Sequence, residues 1–273
     1  MCGIFGFALS KPLKVSLAMK VLMLLETHQY SNEKSPVGGH GAGAYFVDSA
    51  EKEVFLKFGK TNGSPARALA KRILEKKPRT KLFISHVRWA SPIFRNTIAF
   101  KECTQPYITT CSRDMKVISA HNGFMENYWE IRAALRLRHK FESIKTGTLI
   151  DSEVLPHFFE EMMQNKMDGA TAADSISTIL EGQKGNTVSM LLSRKNKTEN
   201  RLIFIHHGKT RGMTIWTNPN CEVIFSSRKA PVRQVLNEFL KAHNFKEKIS
   251  VAWREQKNVN PTIFSLPVNY FDE

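Results

Sequence analysis

The sequence predicts an α+β fold in which two largely antiparallel sheets pack together with helices on the outside. Three observations carry this expectation. Helix-like and strand-like segments come in blocks rather than in βαβ alternation. Many of the strands are short and bounded by turn residues. Finally, 273 residues, 42% of them hydrophobic, are enough to bury a full core. No linker, repeat or low-complexity stretch divides them, so a single domain over residues 1–273 is expected.

The elements follow in order. Residues 3–9 (GIFGFAL) are an unbroken apolar run and read as a buried strand. Residues 13–28 carry leucines at helical spacing. The Gly-, Ser- and Pro-rich stretch 30–43 reads as a loop entering the next strand. Residues 44–48 and 53–58 read as a hairpin. Ser64-Pro65 opens a helix, with Ser as N-cap and Pro as first helical residue. Strands are expected at 81–87 and 115–120, separated by a long polar loop, 91–114. Loops of that length in a domain are usually functional or mobile. Helices are expected at 127–138, 151–164 and 171–182. Pro156 falls either in the first turn of the second of these or at a kink. Short strands follow at 187–193, 201–206, 213–216 and 222–226, then a helix at 230–243, a strand at 248–253 and an irregular tail.

Forty Lys and Arg against 25 Asp and Glu leave a net charge of +15. The excess is spread over Lys71-Arg72, Lys76-Lys77, Arg136, Arg138, Lys140, Arg194-Lys195 and Lys197. A spread excess reads as a solvated basic surface. The other reading is attraction to RNA, acidic lipid or an acidic partner subunit. No aromatic residues interleave with these charges as in an RNA-binding signature, so nucleic acid is weakly supported. No window approaches 18 apolar residues and the N-terminus lacks signal-peptide features, so a soluble, cytoplasmic protein with no membrane contact is expected. Of the four cysteines, Cys103, Cys111 and Cys221 read as ordinary small residues. None forms a C-x-x-C pair, so no metal site and no cofactor are expected. A Cys103–Cys111 disulfide is disfavoured in a reducing compartment.

Cys2 is different because of its position. Excision of Met1 gives it a free α-amine, with a pKa of roughly 7.7–8.0 when unperturbed. A thiol of pKa about 8.5 beside that amine can pass its proton to it, so one residue supplies nucleophile and base. Gly3 leaves room for the backbone to bend and a substrate to approach. Met-Cys-Gly alone is a weak signal, and the rest of an acyl-transfer site has to be sought elsewhere. Ser119-Ala120-His121-Asn122-Gly123 ends a strand. Its Asn amide and Gly N–H suit an oxyanion hole, and they equally suit an ordinary Asn-Gly turn. Arg88, in Ser85-His86-Val87-Arg88-Trp89-Ala90-Ser91, suits a clasp on an α-carboxylate or a surface salt bridge. Asp151 stands at a helix start, suited to an α-ammonium or to capping.

Four motifs together resemble the class II glutamine amidotransferases, a family of N-terminal-nucleophile hydrolases that includes the glutaminase domain of glucosamine-6-phosphate synthase. They are Met1-Cys2-Gly3-Ile4-Phe5-Gly6, His86-Val87-Arg88-Trp89-Ala90-Ser91, His121-Asn122-Gly123 with Glu126-Asn127-Tyr128, and Asp151-Ser152-Glu153-Val154. They stand in the family's order, and the match spans about residues 1–230; a C-terminal helix, strand and tail fill 231–273. The resemblance implies a four-layer α-β-β-α sandwich and the following roles. Cys2 is the nucleophile, and Asn122 and Gly123 form the oxyanion hole. Arg88 binds the glutamine carboxylate and Asp151 its ammonium, while Trp89 and Ser91 line the pocket. Two stretches depart from the family pattern. Gly38-Gly39-His40-Gly41-Ala42-Gly43 stands where the family has Arg-Gly-x-Asp-Ser-x-Gly, and Gln105-Pro106-Tyr107 stands near its His-Pro-His.

The function expected is glutamine hydrolysis through a Cys2 thioester, releasing ammonia to a separate synthase subunit, since no acceptor domain fits after residue 230. A freestanding hydrolase of another γ-glutamyl amide and a catalytically silent regulatory module are the alternatives.

Overall fold

The apolar run at the chain start forms strand β1 (Gly3–Lys14) in the computed structural model. The structure describes residues 2–60, 62–109, 111–112, 114–136, 138–165, 169–180, 184–193, 200–207, 212–251 and 262–267. After β1 come α1 (Val15–Thr27), β2 (Gly41–Asp48), β3 (Glu53–Gly59), α2 (Pro65–Leu74), β4 (Arg79–Arg88), β5 (Tyr107–Ile108), β6 (Met115–Phe124) and α3 (Tyr128–Ala134). The chain continues through α4 (Val154–Gln164), α5 (Gly169–Ile179), β7 (Lys184–Ser193), β8 (Arg201–His207), β9 (Met213–Thr217), β10 (Val223–Ser226), α6 (Lys229–Ala242), β11 (Lys246–Val251) and β12 (Thr262–Pro267). These elements fall into two units: Met1–Pro106 with Gly212–Val251, and Tyr107–Arg211 with Ala252–Glu273.

The first unit holds a seven-stranded antiparallel sheet in the order β11-β9-β10-β1-β4-β2-β3. Residues Gly3–Leu9 are buried on both strand faces, which is why the run is continuously apolar rather than alternating. Val15, Ala18, Met19, Leu22 and Leu25 line the buried stripe of α1, at the spacing that brings one helix face together. They share a core with Phe5, Phe7, Phe46 and Phe83, and Phe7 stacks on Phe83 with centroids 5.6 Å apart. Helix α2 begins where Ser64-Pro65 predicts: Ser64 Oγ accepts from Arg67 N–H at 3.1 Å. Such a cap contributes about 0.5–2 kcal/mol. A second cap comes from α1, because the Glu26 carboxylate accepts from Ala66 N–H at 3.0 Å and from the Ser64 hydroxyl. Burial holds the Glu26 carboxyl above the ordinary range, against the lowering pull of these two bonds and of Arg67.

Strand β1 runs past residue 9 to Lys14. A register shift between Ala8 and Leu13 lets Leu13 and Lys14 rejoin β4 opposite Thr80 and Arg79. The polar Ser10-Lys11-Pro12 segment at that irregularity carries no apolar signal, so the continuation was not legible.

The second unit holds a five-stranded antiparallel sheet in the order β12-β8-β7-β6-β5, with α3, α4 and α5 in contact with one another or with its strands. Strand β12 corrects the expectation of an irregular tail: Thr262–Pro267 pairs with β8 from His206 to Arg201. Proline at both flanks hides it in the sequence, and its place at the sheet edge is where such a strand is tolerated. Pro156 lies in the first turn of α4, where its missing N–H has no intrahelical partner to lose. Residues 151–153 form a 3-10 turn ahead of that helix. The described part of the 91–114 segment holds 3-10 turns at Pro92–Thr97 and Lys101–Cys103 and the strand β5.

Lys71, Arg72, Lys76, Lys77, Arg136, Arg138 and Lys140 are exposed. Arg194, Lys195 and Lys197, together with the tail apart from 262–267, lie outside the described residues. Among the described residues no disulfide forms, and no helix is long and apolar enough to cross a membrane.

Candidate active site

The site residues expected from the sequence divide between the units: Cys2, Arg88, Trp89 and Ser91 in the first, Asn122, Gly123 and Asp151 in the second.

In the first unit, antiparallel pairing of Gly3 with Val87 sets the head of β1 beside the end of β4. Cys2 therefore meets Trp89, whose N–H donates to Sγ at 3.3 Å while Sγ lies 3.5 Å from Trp89 O. The sulfur is half-buried. A Cβ at Gly3 would come within 2.6 Å of Val37 and 2.8 Å of Leu25, so glycine lets the chain start lie this close to α1.

Arg88 is buried, which removes the reading as a surface salt bridge. Its guanidinium donates to Thr97 O at 3.1 Å and to Thr97 Oγ1 at 2.7 Å, using two of its five donors. The fork is thereby fixed by a single residue of the loop that follows. Trp89 and Ser91 are half-buried, and Ser91 O accepts from Phe94 N–H at 2.9 Å as the first 3-10 turn begins.

His40 was not singled out as a site residue by sequence reasoning, although it stands in the Gly-rich stretch that departs from the family. Its N–H donates to Arg88 O at 2.8 Å, and its Nδ1 accepts from Ala90 N–H at 3.1 Å. Its ring stacks on Trp89 with centroids 4.2 Å apart. Burial and the nearby Arg95, Lys60 and Arg88 cations push its pKa down to about 4. A neutral imidazole with Nε2 protonated fits the bond from Ala90. Arg95 adds a guanidinium 5.4 Å from the Trp89 ring centroid. His40 and Thr97 thus hold the Arg88–Ala90 segment from two sides. Thr97 had no sequence signal at all.

In the second unit, Asn122 and Gly123 lie within β6, paired with Asn186 and Gly185 of β7. The Asn-Gly turn is thereby ruled out. A Cβ at Gly185 would stand 2.7 Å from Asn122 O and 2.9 Å from Gly123 Cα, both backbone atoms, so glycine there allows the strands to close at this point. Asn122 is buried, and among the described residues its Oδ1 has no hydrogen-bond partner.

Asp151 is buried and accepts from Met125 N–H through Oδ2 at 3.0 Å. It therefore bridges to the residue that follows β6 rather than only closing its own helix. Glu153, two residues on, accepts from Ser143 N–H at 3.0 Å, from the Ser143 hydroxyl and from Glu142 N–H. Asn127 Nδ2 donates to Ile179 O at 3.2 Å. Within this unit the bond from Met125 joins Asp151 to the end of the strand that carries the two candidate oxyanion donors.

No family model matches the chain. Curated proteins do. The glutamine–fructose-6-phosphate aminotransferase of Sulfolobus acidocaldarius is 31% identical over 186 residues, 67% of this chain and 27% of that protein. The aminotransferase of the same name from Sulfurisphaera tokodaii is 32% identical over the same shares. The chain is a homologue of the class II glutamine amidotransferases. It spans about a quarter of the length of the curated relatives it matches. Among solved structures, the glutamine phosphoribosylpyrophosphate amidotransferase of B. subtilis aligns with a TM-score of 0.58 at 18% identity, covering 98% of this chain and 49% of that one. At such identity the likeness establishes the fold alone, the two-sheet α+β class that the sequence predicts.

Proposed function

We propose that the chain is a glutaminase, and that Cys2, once Met1 is removed, is its nucleophile. Residues 1–273 are read as one glutaminase domain. The thiol proton passes to the α-amine of Cys2, and Sγ attacks the side-chain amide carbon of glutamine. The carbonyl electrons move onto oxygen, and the Asn122 amide and Gly123 N–H donate to that oxyanion. The C–N bond then breaks, and the amine nitrogen leaves as ammonia with the proton held by the α-amine. Water attacks the resulting thioester and releases glutamate, restoring the thiol.

Arg88 takes the α-carboxylate through the donors that Thr97 does not use, and Asp151, buried and held by Met125 N–H, takes the α-ammonium through its negative charge. Trp89 and Ser91 wall the substrate. The single observation that carries the reading is the pairing of Cys2 Sγ with Trp89 N–H, one residue from a buried arginine fork already held in place.

The ammonia goes to a synthase lying outside these 273 residues. The names of the two curated relatives state transfer of the glutamine nitrogen to a sugar phosphate, which supports an acceptor reaction of this kind. The test is glutamate release from glutamine by the purified protein, alone and with a candidate acceptor enzyme. Turnover that is absent in both conditions refutes the reading.

A further inference from the structure

The second unit contains a side-chain cluster that the glutaminase reading does not use. Cys111 lies in the loop between β5 and β6, His139 in the segment after α3, and His157 and Glu160 on α4. The last two are three residues apart, so they share a helix face. One ligand atom from each of the four falls within 4.8 Å of the others. His139 Nδ1 and His157 Nδ1 are 3.1 Å apart, and Glu160 Oε2 lies 3.4 Å from the first and 3.8 Å from the second. A tetrahedron with metal–ligand bonds of about 2.0–2.3 Å has edges of about 3.3–3.8 Å; the two edges to Glu160, 3.4 and 3.8 Å, match it, and the 3.1 Å edge between the imidazoles needs only a small opening. Cys111 closes the fourth on the solvent side.

The surroundings orient these atoms as ligands. His139 Nε2 faces Glu161 Oε2 at 3.2 Å, a carboxylate partner of the kind that holds a ligating imidazole with its other nitrogen, Nδ1, turned inward. Ser112 N–H donates to Glu160 Oε1 at 2.6 Å, which leaves Oε2 as the inward oxygen. Glu160 is wholly buried, and its Oε2 faces only the two imidazoles among the contacts seen in the described residues. Two imidazole nitrogens and a carboxylate oxygen converge in this buried space, the rings hydrogen-bonded to each other and both paired with Glu160, so a positive charge, a proton or a metal cation, has to sit among them.

We propose that Cys111, His139, His157 and Glu160 bind a divalent cation of the zinc type. One thiolate, two imidazoles and one carboxylate suit zinc, and four protein ligands make a closed, structural site rather than a catalytic one. It ties the loop before β6 and the segment after α3 to helix α4. The cysteine spacing conceals the site because its ligands come from three separate segments and no C-x-x-C is needed.

Cobalt(II) added to the full, untagged protein after chelation is the probe. One equivalent should bind, with the visible bands of a tetrahedral site and a thiolate-to-cobalt band in the near ultraviolet. Cys111→Ser, a one-atom change at an exposed residue, should abolish the thiolate band, while Cys2→Ala should keep it. His157→Gln should lower cobalt affinity by at least tenfold. Zinc measured by mass spectrometry in protein purified without chelator should approach one per chain. The proposal is overturned by a folded protein that binds no cobalt, or by a thiolate band that survives Cys111→Ser; the cluster is then held by a shared proton.

Discussion

Thr97→Val is the perturbation that most directly probes how the Arg88 fork is held. The side chain keeps its shape and loses one hydroxyl. That hydroxyl accepts from Arg88 at 2.7 Å and donates to Phe94 O at 2.7 Å. Losing the bond to a buried charged group costs about 1.5–3 kcal/mol, and losing the neutral one about 0.5–1.5 kcal/mol. The variant should therefore unfold about 2–4 kcal/mol more easily in urea, followed by tryptophan fluorescence. Among the described residues, only the bond that Arg88 donates to Thr97 O then still holds the fork. If Arg88 binds the substrate carboxylate, KM for glutamine should rise about tenfold or more, since a charge-assisted bond of about 1.5–3 kcal/mol is misaligned. The chemical step is untouched, so kcat should hold. Unchanged stability would refute the description of the fork. Unchanged KM with the stability loss present would refute the role given to Arg88.

Gly185→Ala forces a methyl against backbone at Asn122 and Gly123, and should cost about 1–3 kcal/mol and lower kcat more than it raises KM; wild-type kcat in a destabilised variant would remove the oxyanion role from this strand end. Asp151→Asn should make glutamine and glutaramate, which lacks the ammonium, nearly equal substrates in competition assays, and retained discrimination would move the ammonium site elsewhere. His40, depressed from 6.5 to about 4, binds its proton in the unfolded chain first. Its contribution is therefore fully present above pH 6.5 and lost as pH falls toward 4. His40→Asn should flatten the acid limb of the stability profile in that window, and ring resonances titrating near 6.5 would contradict the burial argument.

The sequence revealed the elements whose signals are local. Apolar continuity exposed β1 and β4, helical spacing exposed α1, and Ser64-Pro65 placed the start of α2 to the residue. Motif order singles out Cys2, Arg88, Asn122, Gly123 and Asp151 as candidates. What stayed hidden depends on long-range pairing. Strand β12 exists because β8 offers it an edge, and the described part of the 91–114 stretch is held partly by β5 joining β6. Thr97 and Gly185 matter because of the atoms that other segments bring to them, and no spacing rule announces that. His40 lay in a stretch noted only for lacking the family's arginine and aspartate. The Cys111 cluster is hidden for a similar reason: spacing rules look along the chain, while α4 brings His157 and Glu160 to residues of two other segments.

The measurement that bears most directly on the central claim is intact-mass and peptide mapping of the protein after exposure to a glutamine-analogue electrophile, paired with a glutaminase assay. The account predicts a chain lacking Met1, one adduct located on Cys2, and loss of glutamate release in step with labelling. An active protein that retains Met1, or an adduct on Cys103, Cys111 or Cys221 that accounts for the inactivation, would contradict it.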